Sequence, residues 1–382
     1  MFLELAVFVV VTGIIISVID DFFQPKTGLP RKSAIKNYVI QTMMGDTVIL
    51  QPEFLSELNM LPESKLSSTA ALVDSVLGQY TGVDHLLKDH LTTDICRGSF
   101  TRHLGTFLPI MAQELQTAMA KEFQFDGKCE SSQTFVAYDL LLSFIHRITS
   151  VVFVGKEYGH SPIWNYAITV LPTDLHTSSM AIAHAVYDLC AMPEYIGPLR
   201  LEAQAALAQD NGEWKLSTIK RLHRLDSFLK ESQRVNHSSF LGFNRKIMSP
   251  VKLSDGAILP PGTVVAAPGG PMSRDPKFYD DPQRFDGFRF YRADDSGDIS
   301  SASTQDYVSI EPGNLSWGNG RFTCPGRWYA AAMIKLILSK LLLEYDISFP
   351  PGQSERPLNG KYDTDVHPDF NQKIVLTKRQ TV

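Results

Sequence analysis

The apolar positions of this chain fall into three textures. The first, MFLELAVFVVVTGIIISVI, carries Glu4 as its one charge, and from Leu5 to Ile19 only Thr12, Gly13 and Ser17 interrupt apolar side chains. A bilayer span takes roughly 20 residues, so 1–20 predicts a transmembrane helix. The alternative, a cleaved signal peptide, lacks its basic leading residues and its small-residue cleavage site. Lys26, Arg31, Lys32 and Lys36 follow the segment and no Lys or Arg precedes it, which predicts a single-pass anchor with the body of the chain in the cytosol. Residues 21–44, with PKTGLPRKS, read as hinge and linker.

The second texture is helical. After a strand at GDTVILQ and a short helix opened by Pro52, a helical pattern runs from Val83 to about Phe123. VAYDLLLSFIHRITSVVFVG predicts a strongly apolar helix ending at Gly155. SSMAIAHAVYDLCAM, MPEYIGPLRLEAQAAL and LHRLDSFLKESQRV predict three more, and a last apolar helix starts near Arg327. The third texture lies between the last two of these. VKLSDGAILPPGTVVAAP reads as two strand-forming runs joined at Asp255-Gly256, with a second turn at Pro261-Gly262. RDPKFYDDPQRFDGFRFY has no clear period, and the loop from Arg292 to Ser303 is polar. The sum is a mainly α fold with a small β region, over one domain at 45–382.

Composition narrows the function classes. A net charge of -5 with no long basic stretch argues against a nucleic-acid surface. Cys96, Cys129, Cys190 and Cys324 lie far apart with no CxxC pair, so neither a zinc site nor a disulfide framework is indicated, and all four read as reduced thiols.

One of them stands in an unusual place. In SWGNGRFTCPGRWYAAAMIK, Cys324 follows Gly318 and Gly320 and precedes Pro325-Gly326 and a helix. Glycines let backbone approach a flat ligand closely. A sulfur before a helix N-terminus sees unpaired N–H groups that favour the thiolate, a form suited to axial ligation of haem iron. The plainer reading is a buried cysteine in a glycine-rich loop.

WGNGRFTCPGR resembles the haem-binding signature of the cytochrome P450 family, in which Phe-x-x-Gly-x-Arg-x-Cys-x-Gly surrounds the ligand. Gly320, Cys324 and Gly326 match at the required spacing. Trp317 stands where Phe is usual, and Phe322 stands where a basic residue usually contacts a haem propionate, with Arg321 one position earlier. Glu231-x-x-Arg234 matches the family's ExxR pair, three residues apart on one helix face. In Pro282-x-Arg284-Phe285 the resemblance implies a third partner, Arg284, in a buried charge network that supports the haem side of the fold. LHTSSMAIAHAVYDL resembles the oxygen-activation segment, with Thr177 as its threonine and His176 in the usual acidic position. Thr177 would bond iron-bound oxygen and His176 would relay protons. A start of the helix at these residues, with Asp174, is the other reading.

The resemblance covers most of the chain from Gly45 onward. It implies a P450 fold, a haem cofactor, an NADPH-dependent cytochrome P450 reductase as electron donor, and oxidation of an apolar small molecule at the endoplasmic reticulum membrane. The wording of HTSSM, DGFRFYR and CPGRWYA is similar to fungal secondary-metabolism members that oxidise terpenoids. Arg321, Arg327, Lys335 and Lys340 are candidates for a basic face toward the reductase. One region departs from the family. Only 20 residues, Lys156 to Leu175, lie between the predicted helix end and His176. The resemblance implies three helices (F, G and H) and half of a fourth there, which need roughly 55 residues. An incomplete P450 fold with a shortened substrate roof is therefore expected. Two alternatives stay open: a non-catalytic remnant that can bind haem, and an anchored interaction protein in which Cys324 is structural.

Overall fold

The computed structural model describes residues 38–43, 45–89, 91–123, 131–161, 163–164, 175–292 and 303–380. The predicted anchor at 1–20, Cys129 and most of the polar loop after Arg292 lie outside these residues. The described chain forms two compact units.

One unit gathers the described part of 1–90 with Phe240–Pro271 and Gly318–Phe322. It is built on strands β1 (Tyr38–Thr42), β2 (Gly45–Ile49), β3 (Leu66–Ser67), β4 (Gly242–Ile247), β5 (Val251–Lys252), β6 (Ile258–Leu259) and β7 (Val264–Ala267). Five of them make a sheet of order β1-β2-β7-β4-β3. β1 falls inside the segment read as linker. Its alternation of Val39 inward and Tyr38 outward is short, and pairing with β2 rather than intrinsic pattern makes it a strand. β2 and β7 run parallel, while β4 lies antiparallel to β7. The expected turns are present: β5 and β6 form the hairpin around Gly256, and Gly262 (φ 85°) leads into β7. The β4–β7 pairing is irregular between Gly242 and Arg245, and Phe243 there has φ 57°.

The second unit holds the helices α1 (Leu104–Glu122), α2 (Ala137–Gly159), α3 (Leu175–Ala191), α4 (Ile196–Gln209), α5 (His223–Val235) and α6 (Arg327–Glu344). α6 is buried from Tyr329 to Leu342 apart from the half-buried Ala330, the signature of a central core helix. The predicted helical run from Val83 to Phe123 is broken into short turns, and Cys96–Phe100 is a π-turn, before α1 begins. α2 does not end at Gly155. That glycine (φ 77°, ψ 168°) breaks the helix, and one further turn returns so closely that a Cβ on Gly159 would lie 2.9 Å from the Ser150 carbonyl carbon. α2 is also the one described helix long and apolar enough to cross a membrane. Its buried Leu141, Phe144, Ile145 and Ile148 instead form part of this unit's core. Fifteen positions, 160–174, separate α2 from α3. Most of the shortened region before His176 falls outside the described residues.

Candidate active site

The cysteine loop is built on α6. Gly326 caps the helix, and Cys324 sits three residues before its first turn. The Cys324 N–H donates to the Trp317 carbonyl (2.8 Å), which closes the loop into a tight ring. Arg327 Nη1 donates to the Cys324 carbonyl at 2.9 Å, and Arg97 Nη2, from the π-turn, reaches the Thr323 carbonyl at 3.4 Å. Burial lowers the Arg327 pKa, the Cys324 sulfur opposes that shift, and Arg97 adds to it. The Arg327 guanidinium and a helix N-terminus thus lie beside the cysteine, the kind of setting that favours a thiolate. Cys324 is half-buried and in no disulfide.

The loop's glycines have different causes. Gly320 has φ 62°, and a Cβ there would lie 2.6 Å from Asn59 Oδ1. Asn59 is itself fixed, bonding Asn319 by its amide and Arg321 Nη2 by its carbonyl at 3.2 Å. Gly320→Ala should therefore destabilise the chain by about 1–2 kcal/mol through left-handed backbone strain alone, read as a lower midpoint in urea. Gly326 differs. Its φ of −90° suits any residue, and a Cβ there would meet no protein atom within 4 Å. The polypeptide makes no use of that open space, and a flat group lying close to the backbone would.

In the first unit, Phe322 does not leave its position without a charge. The Arg245 guanidinium lies over the Phe322 ring (4.5 Å to the centroid) and over Phe243 (4.2 Å). Arg245 is 4% exposed, and its Nε and Nη2 have no hydrogen-bond partner. Nη1 alone is used, by the Asn244 carbonyl (2.8 Å) and Ser68 Oγ (3.2 Å). Burial pushes the guanidinium down to about 10. Unpaired buried donors are costly, and the left-handed Phe243 beside them adds strain of about 1–3 kcal/mol. Arginine donors left open at a strained strand irregularity mark a place for an anionic ligand. Sequence reading missed Arg245. The arginine lies in an ordinary-looking strand, and the signals that single it out, orphaned nitrogens and an irregular register, are three-dimensional.

The ExxR helix α5 makes the expected pair. Glu231 and Arg234 are both 0% exposed, with Nε to Oε2 at 2.7 Å and Nη2 to Oε1 at 2.8 Å. The third partner is Arg289, correcting the sequence expectation of Arg284. Arg289 Nε lies 3.1 Å from both Glu231 oxygens, and the Asp286 N–H adds 2.8 Å to Oε1. Arg284 points to solvent and gives only its carbonyl, to Arg234 and Arg289. Both arginines carry comparable local sequence, and only the turn at Asp286-Gly287 decides which one faces inward.

The start of α5 is held by Glu202, whose carboxylate accepts the N–H groups of Arg224 (2.7 Å) and Leu225 (3.0 Å). Burial raises this carboxyl to about 7 from 4.5. The folded chain then binds the proton more tightly than the unfolded one, so its contribution is full below about 4.5 and is lost as pH rises toward about 7. Glu202→Gln should flatten that slope, as seen by comparing urea midpoints of both proteins at the two ends of the window.

One further expectation needs revision. Lys335 and Lys340 are 4% and 8% exposed, and bond Asp226 (2.7 Å) and Gln116 (2.6 Å). They do not contribute to an outward basic face, which leaves Arg321 exposed and Arg327 half-buried. His176 and Thr177 lie at the start of the described part of α3. Thr177 is exposed, and His176 Nδ1 lies 2.9 Å from the Tyr138 hydroxyl on α2. Burial, with Asp139 adding to it, raises the Tyr138 pKa, so the phenol keeps its proton.

A helical core, a thiol loop at the N-terminus of its central helix and an ExxR carboxylate between two guanidiniums define a haem-thiolate class of protein. The fold agrees: the solved "Retinoic acid bound cyanobacterial CYP120A1" superposes with a TM-score of 0.65, covering 90% of this chain and 92% of that one at 15% identity. A family-wide sequence profile described as "Cytochrome P450" matches residues 167–369, more than half of the chain. The chain belongs to the cytochrome P450 family. Among curated relatives, Cytochrome P450 monooxygenase olcJ of Penicillium canescens is 29% identical over 428 residues, covering 87% of this chain and 79% of the relative. Ent-kaurene oxidase of Gibberella intermedia is 28% identical over 429 residues, covering 90% and 81%. The protein is accordingly a P450 monooxygenase whose family uses haem, with electrons from NADPH through a reductase.

Proposed function

We propose that this chain places haem on Cys324 and oxidises an apolar small molecule of terpenoid type. The observation that carries the reading is the cysteine loop, where a half-buried thiol, two nearby guanidiniums and a glycine with open space meet at the start of α6. Cys324 would be the axial ligand, Gly326 would leave room for the flat ring, and Arg327 Nε offers a donor to its carboxylates. Haem, when bound, supplies dioxygen activation and one-atom transfer. The polypeptide's own part is positional and protonic. Tyr138 and His176 Nδ1 share a hydrogen bond, beside Thr177 in the same turn. That pair can pass a proton inward from solvent. A diterpene hydrocarbon is favoured because a relative is named an ent-kaurene oxidase. Adding ent-kaurene to the haem-loaded protein should give a low-to-high-spin shift, and product should form with reductase and NADPH. Neither occurring across a panel of diterpenes removes the terpenoid assignment.

A second reading concerns the roof of the site. The 428 aligned positions exceed the chain's 382 residues, so the alignment opens gaps. Together with the 15 positions between α2 and α3, this supports a shortened substrate side in which water reaches the haem face opposite Cys324. A wet site loses orientation and desolvation, and the chain would then be a haem-binding remnant. Haem binding without any spin shift is its signature. For either reading, residues 1–20 are proposed to anchor the chain in the endoplasmic reticulum membrane with 45–382 in the cytosol.

A further inference from the structure

Buried within the apolar helix α6 is one ion pair. Lys335 Nζ donates to Asp226 Oδ2 on α5 at 2.7 Å, and both residues are 4% exposed. Such a pair is weak evidence for stability, because apolar residues of like shape often serve as well. What an apolar pair cannot do is accept a hydrogen bond, and the other oxygen, Oδ1, accepts the Tyr307 N–H at 3.3 Å. The carbonyl of that same residue accepts the Trp317 indole N–H at 2.9 Å. The Tyr307 and Trp317 rings meet edge to face at 5.2 Å. Trp317 then offers its own carbonyl to the Cys324 N–H at 2.8 Å. A continuous line of bonds thus runs from the middle of the core to the cysteine. It depends on Trp at 317, since Phe, the residue usual at this motif position, has no N–H to give.

We propose that Asp226 and Lys335 are positioning residues for the Cys324 thiolate, acting through Tyr307 and Trp317. The carboxylate, held by the lysine, fixes the Tyr307 backbone. That backbone fixes the indole, and the indole fixes the ring of atoms that presents the sulfur. The inference rests on Cys324 being the haem ligand only for its functional consequence. The relay itself is a property of the polypeptide.

Three variants of the full chain test it: Trp317→Phe, which removes the indole N–H while keeping an aromatic ring; Asp226→Leu with Lys335→Met, which swaps the pair for apolar residues; and all three changes together. Hydrogen exchange at the Cys324 amide is followed without haem, with strands Ser132–Val136 and Lys373–Lys378 as reference. The relay predicts about fivefold faster exchange at Cys324 in either variant, the factor one ordinary hydrogen bond commands. It predicts no further gain when all three are combined, and unchanged reference strands. In haem-loaded protein the red-shifted carbon monoxide band should lose share to the unshifted one in the same non-additive way. Unchanged Cys324 exchange, or effects that multiply, would overturn the relay. Exchange that rises equally in the reference strands would reduce the pair to a general structural role and overturn it too. Wild-type protein lacking the red-shifted band would indict the haem assignment instead, while the exchange data still decide the relay.

Discussion

Glu231→Gln is expected to cost about 3–5 kcal/mol, enough to leave much of the chain unfolded or devoid of haem. The carboxylate accepts from Arg234, Arg289 and the Asp286 N–H in a fully buried setting. The neutral amide leaves two guanidiniums without a counter-charge and turns an N–H₂ donor toward one of them. A paired comparison separates the two arginines of the following segment. Arg289→Ala removes a guanidinium that also binds the Asp280, Asp281 and Arg284 carbonyls, and should approach the Glu231→Gln loss. Arg284→Ala touches an exposed side chain and should stay within about 0.5 kcal/mol. Urea unfolding followed by circular dichroism reads all three. Equal losses at 284 and 289 would contradict the network described here.

Arg245→Ala has the second large effect, and of a different kind. Two of its nitrogens are unbonded in the polypeptide, so the fold should survive the change. Anion binding at those nitrogens should be lost. A charged hydrogen bond contributes about 1.5–3 kcal/mol, so affinity for a small carboxylate should fall by roughly tenfold or more. Arg245→Lys keeps the charge but loses the planar fork and its stacking on Phe243 and Phe322, and should fall between. Titration with a small carboxylate gives the affinities. Wild-type affinity in Arg245→Ala would contradict the anion assignment.

Much of this was legible in one dimension where chemistry and spacing coincide. Cys324, Gly320 and Gly326 fall at fixed offsets because a loop and a helix start impose them, and the Glu231–Arg234 pair follows from helical period. Arg289 was not legible, since nothing in RFDGFRF says which arginine turns inward. Nor was Arg245, whose significance lies in bonds it does not make. Burial of Lys335 was hidden because lysine is ordinarily exposed, and only its partner Asp226, more than a hundred residues away, accounts for it. Gly155 carried a true signal, a helix break, but the chain resumes one more turn against Ser150.

Cys324 is proposed to present a thiolate to haem iron. The most direct measurement is the absorption spectrum of the reduced, carbon monoxide-bound protein beside that of Cys324→Ser. A red-shifted Soret band is expected in the wild type and should vanish in the serine variant. A band that persists without Cys324, or none in haem-loaded wild type, would contradict it.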